Sequence, residues 1–148
     1  MLIFPKHSRI VFMGDSITDA GRDRTAFPGG WGYGTGYVNA LHNLLTAVYP
    51  DRALCTINSG VSGDDIVALA ERWQQDVIDL KPDYVSVMVG VNDAWRYFDG
   101  PLWQARLNTV EDFERIYDDL LTRTEQALPD LKGIIVMRPF MFEPNPED

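Results

Sequence analysis

The sequence is poor in cysteine and has no long apolar segment. Its single cysteine, Cys55, excludes a disulfide within the chain and is typical of a reducing compartment, so we expect a cytoplasmic protein. No apolar segment approaches the roughly 18 residues of a membrane-spanning helix. Residues 1–6 do not form the basic and apolar regions of a secretory signal peptide. The length of 148 residues is enough for one domain with its own core.

Basic residues are also scarce, with 13 Lys and Arg against 22 Asp and Glu and a net charge of −9. Binding to nucleic acids depends on cations that neutralise phosphates, so this charge argues against a nucleic-acid partner. The glycines Gly32, Gly34 and Gly36 lack the spacing of a dinucleotide-binding turn. No His and Cys residues have the spacing of a zinc site. We therefore expect no metal and no cofactor.

The sequence does contain a regular alternation of apolar strands and amphipathic helices. Strands are predicted at 9–13, 53–57, 84–89 and 133–137. Helices are predicted at 37–48, 66–80 and 109–128, and a polar, aromatic loop at 94–108. This alternation predicts an α/β fold of one domain, residues 1–148, in which helices cover both faces of a parallel sheet.

Three polar motifs follow three of these strands. Ser16 comes directly after the first strand, Gly63 lies in the segment after the second, and Asn92 follows the third. The carboxyl ends of parallel strands share one edge of a sheet, so we expect the three residues to lie close together. A serine hydroxyl can act as a nucleophile, and the N–H of a glycine and the amide of an asparagine can stabilise an oxyanion. The motifs therefore predict a site for acyl transfer.

Each motif also has a purely structural interpretation. Asp15 and Asp93 can fix turns by hydrogen bonding or can contact a substrate. Trp31 and Trp95 stand in predicted loops, where aromatic side chains can form a substrate pocket or pack the loops. We keep Asp15, Trp31, Asp93 and Trp95 as candidate substrate-binding residues.

The three motifs together resemble the first three sequence blocks of the SGNH hydrolases, also known as the GDSL esterase/lipase family. The resemblance implies a flavodoxin-like, three-layer α/β/α sandwich. It also implies hydrolysis of a carboxylic ester through an acyl-enzyme, without a metal or cofactor. The substrate would be an acylated sugar, a short acyl ester or a lysophospholipid. Ser16 would be the nucleophile, Gly63 the backbone oxyanion donor and Asn92 the side-chain oxyanion donor.

The last block of that family, Asp-x-x-His, is absent from the sequence. Its two histidines are His7, before the first strand, and His42, in the middle of a predicted helix. We therefore expect a fold that is incomplete at the C-terminus, and a chain that is nearly inactive because it lacks the general base. Its fourth strand would be an exposed edge able to pair with another copy. The alternative is a non-catalytic module of the same fold that binds a carbohydrate, an acyl ligand or a partner chain.

Overall fold

The computed structural model describes residues 2–26, 30–98 and 109–139. Four strands form one parallel sheet in the order β2-β1-β3-β4. This order confirms the predicted flavodoxin-like sheet, and it places the carboxyl ends of all four strands along one edge. The strands are Arg9–Gly14 (β1), Cys55–Gly60 (β2), Tyr84–Met88 (β3) and Gly133–Met137 (β4).

Helices connect the strands and cover both faces of the sheet. None of the described helices is both long and apolar enough to cross a membrane. The α-helices are Ser16–Asp19 (α1), Tyr37–Val48 (α2), Ile66–Glu71 (α3), Val91–Phe98 (α4) and Val110–Ala127 (α5). Two short 3-10 turns, Gly30–Tyr33 and Pro50–Arg52, and one π-helical turn, Gln74–Ile78, complete the described elements.

The core has one apolar cluster on each face of the sheet. On one face, side chains from β1, β2 and β3 pack with Ile66 of α3, with Trp73 just before the π-helical turn, and with Leu120 of α5. On the other face, Ile10 and Phe12 pack with Val38 of α2 and with neighbouring aromatic side chains. Helices therefore pack on both sides of the sheet, as in a three-layer sandwich.

The second strand and the helix after it differ from the prediction. β2 begins at Cys55 and continues to Gly60, which pairs with Gly14 at the end of β1. The polar residues at its end are buried and hydrogen-bonded to neighbouring segments, a stabilisation that strand propensity does not measure. The predicted helix 66–80 is interrupted, because α3 ends at Glu71 and a π-helical turn begins at Gln74.

The predicted loop at 94–108 is partly helical. α4 covers Val91–Phe98, so Asn92, Asp93 and Trp95 lie in a helix rather than in a turn and a loop. Its apolar residues Val91, Ala94, Trp95 and Phe98 recur at helical spacing, a signal that the loop prediction did not use. Three of its polar side chains also bond to residues 63–66, and these tertiary contacts stabilise the helix. Residues 99–108 lie outside the described part of the chain.

β4 is one of the two edge strands of the described sheet, and β2 is the other. Within the described residues β4 pairs with β3 alone, and the side chain of Val136 is 57% exposed. Beside it lies an open, mainly apolar groove of about 610 Å³ between α4, α5 and the ends of β3 and β4. The groove includes Gly90 and Asp93 but neither Ser16 nor Gly63.

Candidate active site

Ser16 is placed at the carboxyl end of β1 by a turn that requires glycine. A Cβ on Gly14 would lie 2.2 Å from Thr18 Oγ1 and 2.4 Å from the Met88 carbonyl oxygen, so no larger residue fits there. Ser16 is the first residue of α1 and is exposed. Neither its hydroxyl nor its N–H bonds to another described residue. The hydroxyl is therefore accessible to a ligand at the start of a helix.

Asp15 is completely buried and is the N-cap residue of α1. Its Oδ1 accepts a hydrogen bond from the Ile17 N–H at 3.0 Å, while Oδ2 has no partner among the described residues. Burial raises the pKa of Asp15, and the charges of Asp64 and Asp93 raise it further against the effect of the Ile17 N–H. A side chain without exposed surface favours a structural role for Asp15 over contact with a substrate.

Gly63 lies in the turn between β2 and α3. Its φ of +87° is in the region that favours glycine, while a Cβ there would meet no atom within 4 Å. Conformation rather than space therefore requires glycine at this position. The Gly63 residue is exposed and its N–H makes no hydrogen bond within the described part of the chain. This N–H is available to an oxyanion.

Asn92 lies in the first turn of α4 and is buried. Its Nδ2 donates a hydrogen bond to the Asp64 carbonyl at 2.7 Å. An amide nitrogen carries two protons, so the second can be donated to a ligand. This contact places the Asn92 side chain against the residue that directly follows Gly63.

Two further residues of α4 hold the same turn. Both carboxylate oxygens of Asp93 lie 3.2 Å from the Ile66 N–H, at the start of α3. Arg96 donates from Nη2 to the Gly63 carbonyl at 2.6 Å and also pairs with Asp65. The Gly63 segment and the Asn92 helix therefore form one hydrogen-bonded unit.

The α1 turn is held against the end of β2. Asp19 accepts hydrogen bonds from the Ser62 N–H at 2.9 Å and from its hydroxyl at 3.1 Å. Burial alone would raise the pKa of Asp19, but the hydrogen bonds from Ser62, Arg22 and Arg24 lower it. The buried Asn58 side chain donates to the Thr18 carbonyl at 2.7 Å. The structure therefore brings the elements that carry Ser16, Gly63 and Asn92 to the same end of the sheet.

Neither histidine of the sequence is part of this site. His42 bonds through Nδ1 to Thr56 Oγ1 at 2.8 Å and stacks on Tyr33 with ring centroids 4.1 Å apart. Burial lowers the pKa of His42. Thr56 pairs with Ile10 near the start of β1, toward the opposite end of the strand from Ser16, and His7 precedes that strand. No histidine of this chain is therefore placed to accept the Ser16 proton.

Trp31 and Trp95 both present large exposed aromatic surfaces. Trp31 lies in the 3-10 turn after α1 and is 77% exposed, and Trp95 lies on α4 and is 58% exposed. They therefore remain candidates for substrate contact. Neither lines the large apolar groove beside β4, so that groove does not by itself define the site.

Sequence reasoning missed two charged residues of the site: Arg72 and Arg96. Arg96 was in a segment interpreted as a loop. The Arg72 side chain is mostly buried although arginine is usually exposed, and it lies between the apolar positions Leu69 and Trp73. An arginine beside the apolar stripe of a predicted helix is the signal that could have identified it.

Comparisons with known proteins agree with this fold. A family model described as "GDSL-like Lipase/Acylhydrolase family" matches residues 12–148. An acetylxylan esterase from Geobacillus stearothermophilus is 43% identical over 141 residues, which are 95% of this chain and 63% of that enzyme.

Solved structures give the same result. A crystal structure of an acetylxylan esterase from Geobacillus stearothermophilus matches with a TM-score of 0.88 and 40% identity, covering 99% of this chain and 66% of that one. An alpha/beta hydrolase enzyme from the metagenome of Lake Arreo, Spain, matches with a TM-score of 0.90 and 46% identity, covering 98% and 66%. This chain spans about two-thirds of the length of these relatives. Catalytic mutants of the acetylxylan esterase replace a serine, an aspartate or a histidine by alanine.

Proposed function

The chain belongs to the GDSL-like lipase/acylhydrolase family, and on this premise we propose that it carries the nucleophile and the oxyanion site of a serine ester hydrolase. Ser16 attacks the ester carbonyl and forms an acyl-enzyme. The Gly63 N–H and the Asn92 amide donate hydrogen bonds to the oxyanion. This chemistry requires no metal and no cofactor.

One observation carries the proposal. An exposed serine without a hydrogen-bond partner among the described residues stands at a helix start, on the same sheet edge as a glycine N–H that is likewise unbonded there and a buried asparagine amide. Their availability supports a role toward a ligand that develops negative charge.

Neither histidine of the chain is placed to act as the general base, because His42 bonds to Thr56 and His7 lies before β1. We propose that a histidine outside residues 1–148 supplies this role. We therefore propose that residues 1–148 alone are nearly inactive. In triad hydrolases, loss of the base costs about as much as loss of the whole triad, roughly 10⁶-fold in turnover.

The proposed substrate is a small acetylated carbohydrate. The relative with 43% identity is an acetylxylan esterase. The exposed rings of Trp31 and Trp95 provide flat apolar surfaces at the same end of the sheet, and such surfaces suit the faces of sugar rings. Short acyl esters and lysophospholipids are the competing substrates.

Labelling with a fluorophosphonate tests the proposal. The reagent is applied to residues 1–148 and to the longest natural polypeptide that contains them, each with a Ser16→Ala control. Labelling of Ser16 in the longer polypeptide alone supports the hydrolase and a base outside this chain. Acetyl release from acetylated xylo-oligosaccharides, compared with release from long-chain acyl esters, then identifies the substrate class.

A binding module on the same fold is the second candidate, and the absence of a histidine near Ser16 favours it. It predicts no labelling of Ser16 in either polypeptide, together with binding of acetylated oligosaccharide that Trp31→Ala weakens. Binding without labelling would replace the hydrolase proposal.

Two further proposals concern the surroundings of the site. We propose that the exposed edge of β4 pairs with a second copy of this chain, because no described residue covers Val136 or the apolar groove beside it. Sedimentation equilibrium on residues 1–148 tests this, and Val136→Lys should shift the protein toward monomer. The single cysteine, Cys55, supports a cytoplasmic location.

A further inference from the structure

One mostly buried arginine contacts several segments at the carboxyl end of the sheet. Arg72 follows α3, and its side chain is 17% exposed. Its Nη2 donates to the Gly14 carbonyl at 3.0 Å, and its Nε to the Asp64 carboxylate at 2.6 Å. Its Nη1 donates to the Ser59 carbonyl at 2.6 Å. One guanidinium therefore contacts the turn before Ser16, the end of β2 and the residue after Gly63.

The local backbone is shaped around this side chain. α3 ends at Glu71, Arg72 is its C-cap, and the π-helical turn Gln74–Ile78 follows. π-Helical turns are rare in proteins overall, and those that occur are often at functional sites. This turn places the Asp76 carboxylate 2.7 Å from Arg72 Nη1. It also lets the Ser59 hydroxyl donate to the Asp76 carbonyl at 3.2 Å. The irregular turn therefore holds the guanidinium from its outer side.

Asp64 transmits the position of Arg72 to the oxyanion donors. Its carboxylate accepts from Arg72, and its carbonyl accepts from Asn92 at 2.7 Å. Asp64 also follows Gly63 directly in the chain. Any shift of Arg72 therefore moves the peptide next to the Gly63 N–H and the group that orients the Asn92 amide.

We propose that Arg72 is a positioning residue that sets the distance between the Ser16 turn and the oxyanion donors at Gly63 and Asn92. This role rests on the proposed function. A guanidinium is a planar, rigid donor that can hold several acceptors at once, whereas the ammonium of lysine cannot reproduce that geometry. A misplacement of about 1 Å at a reacting centre can cost on the order of 100-fold in rate.

The test compares arginine-to-lysine changes at the two ends of β1. Ester hydrolysis is measured in the longest natural polypeptide that contains residues 1–148. We expect Arg72→Lys to lower kcat by roughly 10- to 100-fold and to change KM by less than about threefold, because the donors are displaced but the binding surface is kept. Arg9→Lys is the matched control: Arg9 donates to the Leu80 carbonyl at the opposite end of the strand, and its kcat should not change.

A second variant separates positioning from stability. Ser8→Ala removes a buried hydroxyl that donates to the Pro5 carbonyl at 2.9 Å, at the amino end of β1 and without contact to Arg72. We expect a lower melting temperature with an unchanged kcat. If Arg72→Lys lowered kcat no more than Ser8→Ala does for the same loss of stability, Arg72 would be a structural residue and the proposal would be wrong. If Arg72→Lys does not fold, Asp64→Asn takes its place, and an unchanged kcat there would overturn the proposal.

Failure of this role and failure of the proposed function give different results. If the unsubstituted polypeptide shows no hydrolysis that depends on Ser16, the proposed function and the role of Arg72 are both refuted. If hydrolysis depends on Ser16 but Arg72→Lys behaves like Arg9→Lys, only the role of Arg72 is refuted.

Discussion

The two ends of the sheet use polar residues in opposite ways. At the carboxyl end, Arg72 and Asp64 pair at 2.6 Å with side chains that are 17% and 11% exposed. At the amino end, Lys132 and Asp83 pair at 2.5 Å with side chains that are 43% and 28% exposed. Removing two charged groups from water carries a desolvation cost that can exceed the gain from pairing them, whereas surface ion pairs contribute only about 0–1 kcal/mol. The costly arrangement is found where Ser16 lies, and this supports a functional role for that end.

The largest expected difference concerns the two serines at the ends of β1. In the longest natural polypeptide containing this chain, Ser16→Ala should lower kcat for an acetyl ester by up to roughly 10⁶-fold, because it removes the nucleophile. Its free energy of unfolding should change by less than about 0.5 kcal/mol, because the exposed hydroxyl bonds to none of the residues that the structure describes. Kinetics and urea denaturation measure the two effects.

Ser8 is the matched control for Ser16. Its hydroxyl is buried and donates to the Pro5 carbonyl at 2.9 Å. Ser8→Ala should cost about 1 kcal/mol of stability and leave kcat unchanged. Loss of activity in Ser8→Ala, or its retention in Ser16→Ala, would contradict the assignment of the site to the carboxyl end.

A smaller effect is expected from Asn92→Ala. Losing one oxyanion donor should lower kcat by about 10²- to 10³-fold. Losing its hydrogen bond to the Asp64 carbonyl should cost about 1 kcal/mol of stability. Asn43→Ala, which removes an exposed bond to Asn39 on α2, is the control and should change neither quantity. Equal kcat values for the two variants would show that Asn92 is not an oxyanion donor.

Asp15→Asn tests the buried carboxyl at the carboxyl end. Burial raises the pKa of Asp15, so folding favours its protonated form, and its contribution to stability is lost as pH rises through the folded pKa. Asparagine keeps the acceptor for the Ile17 N–H without the charge. The variant should therefore unfold at a higher temperature than the unsubstituted protein at pH 7, with a difference that shrinks below pH ~4.

The smallest effect is expected from Asp83→Asn at the amino end of the sheet, and it should change stability in the direction opposite to Asp15→Asn. Hydrogen bonds from Lys132 and from the Arg9 N–H hold the pKa of Asp83 below its usual value. This stabilisation is present at neutral pH and lost as pH falls through the folded pKa. Asp83→Asn should therefore destabilise the protein at pH 7 by less than about 1 kcal/mol, and less at acidic pH. If thermal melts from pH 3 to 8 gave both variants the same sign, the contrast between the two ends would be wrong.

Local signals in the sequence predicted much of the fold. β4 has the predicted bounds, Gly133–Met137, because a short β-branched segment is typical of a strand. α5 begins after Thr109, whose hydroxyl accepts from the Asp112 N–H as a capping residue should. Both elements are specified by residues within a few positions of one another.

Long-range contacts explain where the prediction differed. α4 was predicted as a loop although Val91, Trp95 and Phe98 stand at helical spacing, and its Asn92 and Arg96 side chains bond across to the turn before α3. The helix after β2 was predicted as continuous, but the bonds of Arg72 to β1 and β2 accompany its interruption. No window of neighbouring residues contains these partners, which lie 13 to 58 positions away in sequence.

The sequence by itself determined the parallel α/β architecture and the three strand ends that carry Ser16, Gly63 and Asn92, because apolar periodicity and the alternation of elements are local properties. Only the tertiary structure decided which donors remain unbonded. It showed that the Gly63 N–H and the Ser16 hydroxyl have no hydrogen-bond partner within residues 2–26, 30–98 and 109–139. It also showed that Arg72 joins the two sides of the site. Hydrogen-bond partners depend on which distant segments meet, and that is settled only when the sheet is assembled.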